Sequence, residues 1–194
     1  MNTLKLTKMK TIKLLAFLFI SSLAFTGCSD DDDDHGGDDH DHEEEVITTL
    51  TYTLTDGTDT ITLTFEDLDP DDSVDGVATV SGNLKANTDY TGELTVLNKT
   101  DSDDPAHIQE EIEGEAEEHE FFYTTTVANV TISKTDEDGN GNPLGFTTNL
   151  VTGAAGTGTI TVVLKHEPKK PNDGSVADAG GNTDIEATFT VEVE

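Results

Sequence analysis

The chain has no arginine, no tryptophan and a single cysteine, Cys28. All ten basic residues are lysines, set against 41 aspartates and glutamates, so the formal net charge is −31 over 194 residues. Four of the lysines (Lys5, Lys8, Lys10 and Lys13) precede the first apolar run; beyond Cys28, 41 acids face 6 lysines, a net of −35. Such a surface repels phosphate backbones, and without arginine there is no bidentate phosphate clamp, so nucleic acid is excluded as a partner. One cysteine excludes internal disulfides, CxxC redox pairs and thiolate zinc sites. The absence of tryptophan argues against a sugar-stacking lectin. No motif assembles a nucleophile, a base and an orienting group, so no enzyme is expected.

What is present begins with an export segment. Lys5 to Lys13 form a basic stretch, followed by the apolar run Leu14-Leu15-Ala16-Phe17-Leu18-Phe19-Ile20 and then by Leu23-Ala24-Phe25-Thr26-Gly27-Cys28. An apolar run this short falls below the ~20 residues needed to span a bilayer and reads as the core of a signal peptide over residues 1–27. Cys28 after the small Thr26 and Gly27 resembles a bacterial lipobox, with Phe25 where that pattern prefers leucine. The resemblance implies cleavage before Cys28, acylation of its thiol by groups such as palmitate, and a stable membrane anchor. Ser29-Asp30-Asp31-Asp32-Asp33-Asp34 follows at once and resembles the acidic export signal of Bacteroidota-type lipoproteins, which implies attachment to the outer membrane and display on the cell surface.

Residues 28–45 are expected to form a tether. Asp30 to Glu45 holds eleven acids, the histidines His35, His40 and His42, a Gly36-Gly37 pair and no apolar side chain. Like-charge repulsion and the lack of anything to bury predict a disordered, extended segment. Extended, the stretch from Cys28 to Val46 would reach ~60 Å. Its three histidines among carboxylates are loose candidate ligands for Zn²⁺, Cu²⁺ or Ni²⁺, and a solubilising spacer accounts for the same residues.

From Val46 to Glu194 the pattern has period two. Threonine supplies 28 of the 167 residues from Cys28 onward, and β-branched residues favour strands. Leu50, Tyr52 and Leu54 alternate with threonines; Asp56-Gly57-Thr58-Asp59 is a turn; Ile61, Leu63 and Phe65 alternate again, giving a hairpin with one apolar and one hydroxyl face. Further strands are expected at Val77 to Leu84, Tyr90 to Leu97, Phe121 to Thr126, Val127 to Ser133, Phe146 to Thr152, Thr159 to His166 and Ile185 to Val193. Nine short strands without a sustained helical period predict an all-β antiparallel sandwich over 46–194. Leu84-Lys85-Ala86-Asn87-Thr88-Asp89-Tyr90 resembles the tyrosine corner of fibronectin type III and related immunoglobulin-like domains, with Ala86 in place of the usual proline. The resemblance implies a sandwich of that kind, in which the tyrosine hydroxyl ties back to upstream backbone.

The domain also resembles a family of small outer-membrane lipoproteins of Bacteroidota. The likeness is carried by Leu84 to Tyr90, Glu117-Glu118-His119-Glu120-Phe121-Phe122, Gly141-Asn142-Pro143-Leu144-Gly145, Val162-Val163-Leu164-Lys165-His166 and Thr183-Asp184-Ile185. Members often carry the label "type 1 periplasmic binding fold superfamily protein". The two-lobed α/β architecture behind that label needs repeated βα units and about two domains of chain, neither of which this pattern supplies. The resemblance implies association with a TonB-dependent outer-membrane receptor and with metal acquisition.

Three places are candidates for chemistry. His119 shares a strand face with Phe121 and Tyr123, and His166 shares one with Ile160, Val162 and Leu164, so each histidine continues an inward stripe to a strand end. With Glu117 on the face of His119, the three would make a zinc site if the two strands adjoin; two unrelated rim histidines would give the same pattern. Asp136, Asp138 and Asn140, with Gly141 following, match the opening of a calcium loop, yet Thr147 stands at its twelfth position, and an acidic hairpin turn explains the same residues. Asp101 to Glu120 carries ten carboxylates in twenty residues. As a helix it would set Glu111 by Glu115 and Glu113 by Glu117, pairs that repel, so a solvated loop is expected there. The resulting expectation is a lipid-anchored, non-enzymatic binding module that captures zinc or calcium for a receptor, with a protein-interaction or adhesion module as the alternative.

Overall fold

The computed structural model describes residues 45–69 and 76–194. The expected signal segment, Cys28 and the histidines of the expected tether, His35, His40 and His42, lie outside the described residues, as do residues 70–75. The described residues belong to one compact unit, Asp41–Glu194.

Period-two alternation produces nine strands among the described residues: β1 (Thr49–Thr55), β2 (Thr60–Glu66), β3 (Val77–Val80), β4 (Asp89–Leu97), β5 (His119–Thr125), β6 (Thr131–Lys134), β7 (Thr147–Val151), β8 (Gly156–His166) and β9 (Asn182–Val193). They form two antiparallel sheets, one of six strands in the order β3-β2-β1-β4-β7-β6 and one of three in the order β5-β8-β9. The domain is an all-β sandwich. Its six-plus-three arrangement differs from the four-plus-three sheets of a constant-type immunoglobulin domain. The hairpin expected from the first alternating run is present, with Tyr52 opposite Leu63 and Thr53 opposite Thr62.

Apolar stripes meet between the sheets. Leu50, Tyr52, Leu54, Tyr90, Leu94, Val96 and Leu150 from the large sheet pack with Phe121, Ile160, Val162, Leu164, Ala187, Phe189 and Val191 from the small one. The Tyr52 and Tyr123 rings pack at 5.3 Å between centroids with their planes tilted by 44°, and Phe121 meets Phe146 edge-on at 4.8 Å. The buried Tyr52 hydroxyl hydrogen-bonds the Thr148 hydroxyl at 2.6 Å. Gly92 makes that contact possible: a Cβ there would lie 2.3 Å from Thr148 Oγ1 and 2.7 Å from the Tyr52 ring. The hydrogen bond expected of the tyrosine corner is also present, with the Lys85 amide donating to Tyr90 Oη at 2.8 Å.

Three stretches differ from the expectation, the first being Val127 to Ser133, where residues 127–130 make a turn and the strand begins only at Thr131. The strand expected over Val77 to Leu84 stops at Val80, and Leu84 instead bridges Val193 in parallel fashion, joining the sheets along one margin. Within the acidic stretch, His107–Gly114 forms helix α1 rather than a loop. Ile108 and Ile112, one turn apart, are both buried in the core, and the Val96 amide donates to Gln109 Oε1 at 3.3 Å. Burying two isoleucines is worth about 1.5–3 kcal/mol each, more than a pair of exposed like charges costs. A second short helix, α2 (Val176–Ala179), is capped by Ser175, whose hydroxyl accepts from the Asp178 amide. It lays Val176 and Ala179 over Phe122 and Val163 on the outer face of the small sheet. No helix among the described residues is long and apolar enough to cross a membrane.

Candidate metal centre

His119 opens β5 and His166 closes β8, and the register sets them directly opposite each other. They lie on the inward face, one step beyond Phe121 and Leu164, as the alternation requires. Their rings stack at 4.6 Å between centroids and 26° between planes. Both are buried, His119 completely. Each histidine continues the inward stripe of its own strand, as the alternation predicts, and the register, which the alternation does not encode, makes the two strand ends adjoin.

The carboxylates differ from the one expected. Glu117 is exposed and outside the strand: the Glu118 amide donates to the Glu115 carbonyl at 2.8 Å, and residues 115–118 turn the chain between α1 and β5. Glu117 therefore does not share the His119 face. Glu45, assigned to the tether by its place at the end of an acidic run, instead reaches the histidines. Its Oε1 lies 2.8 Å from His119 Nε2 and its Oε2 lies 3.1 Å from His166 Nδ1.

Asp184 supplies the second carboxylate through a β-bulge. Leu164 pairs with Ile185 and Lys165 with Thr183, so Asp184 is the extra residue. Simple alternation would place Asp184 opposite in direction to the buried Ile185. A bulge re-aims such a side chain, and here an Asp184 oxygen joins Glu45, His119 and His166 with all four donor atoms within 4.8 Å of one another. Asp184 Oδ2 is buried without a hydrogen-bond partner. A buried carboxylate oxygen is costly to leave so, and a water or a cation bound there would relieve the cost.

The electrostatics follow from this crowding. Burial, reinforced by the charge of Glu45, pushes the Asp184 carboxyl up to about 6. Burial pulls His119 down, but the hydrogen bond and charge of Glu45 outweigh it and hold His119 above its ordinary value. Burial likewise opposes ionisation of Glu45, and its hydrogen bond to His119 overcomes that, keeping its carboxyl below the ordinary value. His119 Nδ1 lies 3.2 Å from the Glu115 carbonyl, which can only accept, so Nδ1 carries a proton. With Nδ1 so occupied, Nε2 faces the carboxylate either as N–H in the charged ring or as a bare lone pair aimed at a cation. A backbone carbonyl on the far nitrogen is a common support for a metal-bound histidine.

Two imidazole nitrogens and two carboxylate oxygens fit Zn²⁺, which takes such donors at ~2.0–2.2 Å in a tetrahedron. Donor pairs would then stand ~3.4 Å apart, so the cluster needs only a modest contraction. Four protein donors would fill the coordination sphere, as in holding sites; catalytic sites keep one position for water.

The stretch resembling a calcium loop is committed elsewhere. Asp136 accepts from the Gly145 and Phe146 amides at 2.8 Å each. Asp138 is buried and accepts from the Asn140 and Asn142 amides and from the Asn142 side chain. The Lys170 ammonium lies 3.1 Å from Asp138 Oδ2, so a cation is already supplied by the protein. Asn140 is exposed and gives its amide, rather than its side chain, to the turn. These residues close a hairpin turn, and among the described residues the Glu45 group is the one with metal-site geometry.

No protein-family model, curated protein or solved structure matches the chain.

Proposed function

We propose that the protein is a non-enzymatic binding module that captures one divalent transition-metal ion, zinc by preference, with Glu45, His119, His166 and Asp184. The observation that carries this reading is the convergence of two histidines and two carboxylates, from four separate segments, on one buried spot. Two imidazoles favour zinc over calcium or magnesium, which take oxygen ligands. The four-donor set supports capture rather than catalysis. The export segment and Cys28 support a lipid-anchored protein of the outer membrane, displayed at the cell surface on its acidic tether. In that position it would gather zinc for a TonB-dependent outer-membrane receptor.

Calorimetric titration of the chain carrying His35→Gln, His40→Gln and His42→Gln tests the proposal, because the tether then offers no imidazole. Zinc is expected to bind one-to-one, and His166→Ala is expected to weaken binding at least tenfold. Equal binding with and without His166, or none in either, would leave the interaction-module reading as the better account.

A further inference from the structure

A second polar cluster lies on the other face of β5, where β5 and β6 form the margin of the sandwich opposite the Leu84 bridge. A cleft of about 290 Å³ opens there, lined by Glu120, Tyr123, Lys134 and Asn172 among others. Glu120 is almost wholly buried. Its two oxygens are divided between two partners: Lys134 Nζ donates to Oε1, and Asn172 Nδ2 donates to Oε2 at 2.6 Å. The Lys134 ammonium also lies over the Phe122 ring, 4.2 Å from its centroid. The Gly174 amide donates to Asn172 Oδ1 at 2.8 Å.

We propose that Lys134 and Asn172 become joined by an intramolecular isopeptide bond, formed without any cofactor and with Glu120 as the proton carrier. The cluster holds each part such a reaction needs. A lysine amine is a nucleophile only when neutral, and burial in this cleft lowers the tendency of Lys134 to hold its proton. One carboxylate touching both nitrogens can take a proton from one and return it to the other. The Gly174 N–H points at the oxygen on which negative charge develops. Both nitrogens sit on a single carboxylate, and the reaction requires Nζ to approach Asn172 Cγ to the ~3–3.5 Å of a reacting pair.

The step balances as follows. Glu120 takes a proton from the Lys134 ammonium, and the freed lone pair of Nζ attacks Asn172 Cγ. The carbonyl electrons move onto Oδ1 beside the Gly174 amide. Glu120 passes its proton to Nδ2, the Cγ–Nδ2 bond breaks as the carbonyl re-forms, and the remaining extra proton on Nζ leaves with ammonia as ammonium. A new secondary amide and a regenerated carboxylate remain, with nothing oxidised or reduced. The bond would tie β6 of the large sheet to the segment after β8 of the small sheet, locking the margin that the Leu84 bridge does not hold. A covalent clasp of this kind suits a domain held outside the cell without disulfides.

Peptide mapping of the purified full chain by tandem mass spectrometry decides the matter. The expected result is a branched peptide joining Lys134 to Asn172, lighter than its two parts by one ammonia, with trypsin unable to cut after Lys134. Lys134→Arg, Asn172→Ala and Glu120→Gln should each yield linear peptides of full mass. Linear peptides from the wild type, cut normally after Lys134, would overturn the proposal whatever the variants do. Loss of ammonia from Asn172 alone, as a cyclic imide with Lys134 still cleavable, would overturn it too, as would a branch at any other lysine. None of these outcomes depends on zinc, so the clasp and the metal site stand or fall separately.

Discussion

Asp184 is the residue on which stability and binding pull hardest against each other. Its carboxyl lies beside that of Glu45 in a buried group, and crowding plus burial raise it to about 6. A raised carboxyl value means that the fold favours the protonated form, so stability is lost as pH rises from ~3.9 through 6. Above that range the metal-free protein bears the cost of a buried charge. Asp184→Asn is therefore expected to raise the stability of metal-free protein at pH 8 by on the order of 1–2 kcal/mol, after allowance for solvent screening, while weakening zinc binding. Urea unfolding and zinc titration of the same variant check both halves. A variant that loses stability and keeps its zinc affinity would remove Asp184 from the site.

His119 and Glu45 give the site its pH dependence. His119 is held above its ordinary value, so its contribution to stability is full below ~6.5 and is lost as pH rises through the higher folded value. Glu45 is held below its ordinary value, so its contribution is full above ~4.3 and lost in acid. Zinc must displace the proton that this pair shares. Zinc affinity is therefore expected to fall on acidification from a pH above ~6.5, and titrations in buffers of different ionisation heat should show proton release on binding. Affinity that stays flat from pH 8 to pH 6 would contradict the role of His119.

At the scale of elements, alternation made much of this molecule legible. The hairpin of β1 and β2 and the inward aim of His119 and His166 follow from period two applied to Leu50 to Phe65, Phe121 to Tyr123 and Ile160 to Leu164. The pairing of the two histidines was not legible, because register is set by contacts between β5 and β8 that no single strand encodes. The two carboxylates were illegible for different reasons. Asp184 reaches the site through a bulge that breaks the alternation, and Glu45 looks like any other acid in the run from Glu43 to Glu45. Glu45 stands two residues before the buried Ile47 and Thr48, with only Val46 between, and those two residues bind the end of that run to the domain.

Helix α1 shows the same limit from the other side. Its eight residues include three glutamates, and the signal that outweighs their repulsion is the pair Ile108 and Ile112. Ile112→Ala is expected to cost about 2–4 kcal/mol in urea unfolding, as a buried aliphatic truncation. Glu111→Ala, on the exposed side, is expected to stay within ~0.5 kcal/mol. Equal, small effects from the two changes would return this segment to the solvated loop that charge alone suggests.

Over the whole molecule, three donors of the metal group are fixed on one sheet, on β5, β8 and β9, while Glu45 comes from the chain entering β1. That division supports a site which is largely built before the ion arrives and is completed by the segment that enters β1. Zinc-edge X-ray absorption of the zinc-loaded chain carrying His35→Gln, His40→Gln and His42→Gln tests this most directly. The account predicts two imidazole nitrogens and two carboxylate oxygens at ~2.0–2.2 Å, with one imidazole lost in His119→Ala. A shell of oxygens alone, or a spectrum unchanged by His119→Ala, would contradict it.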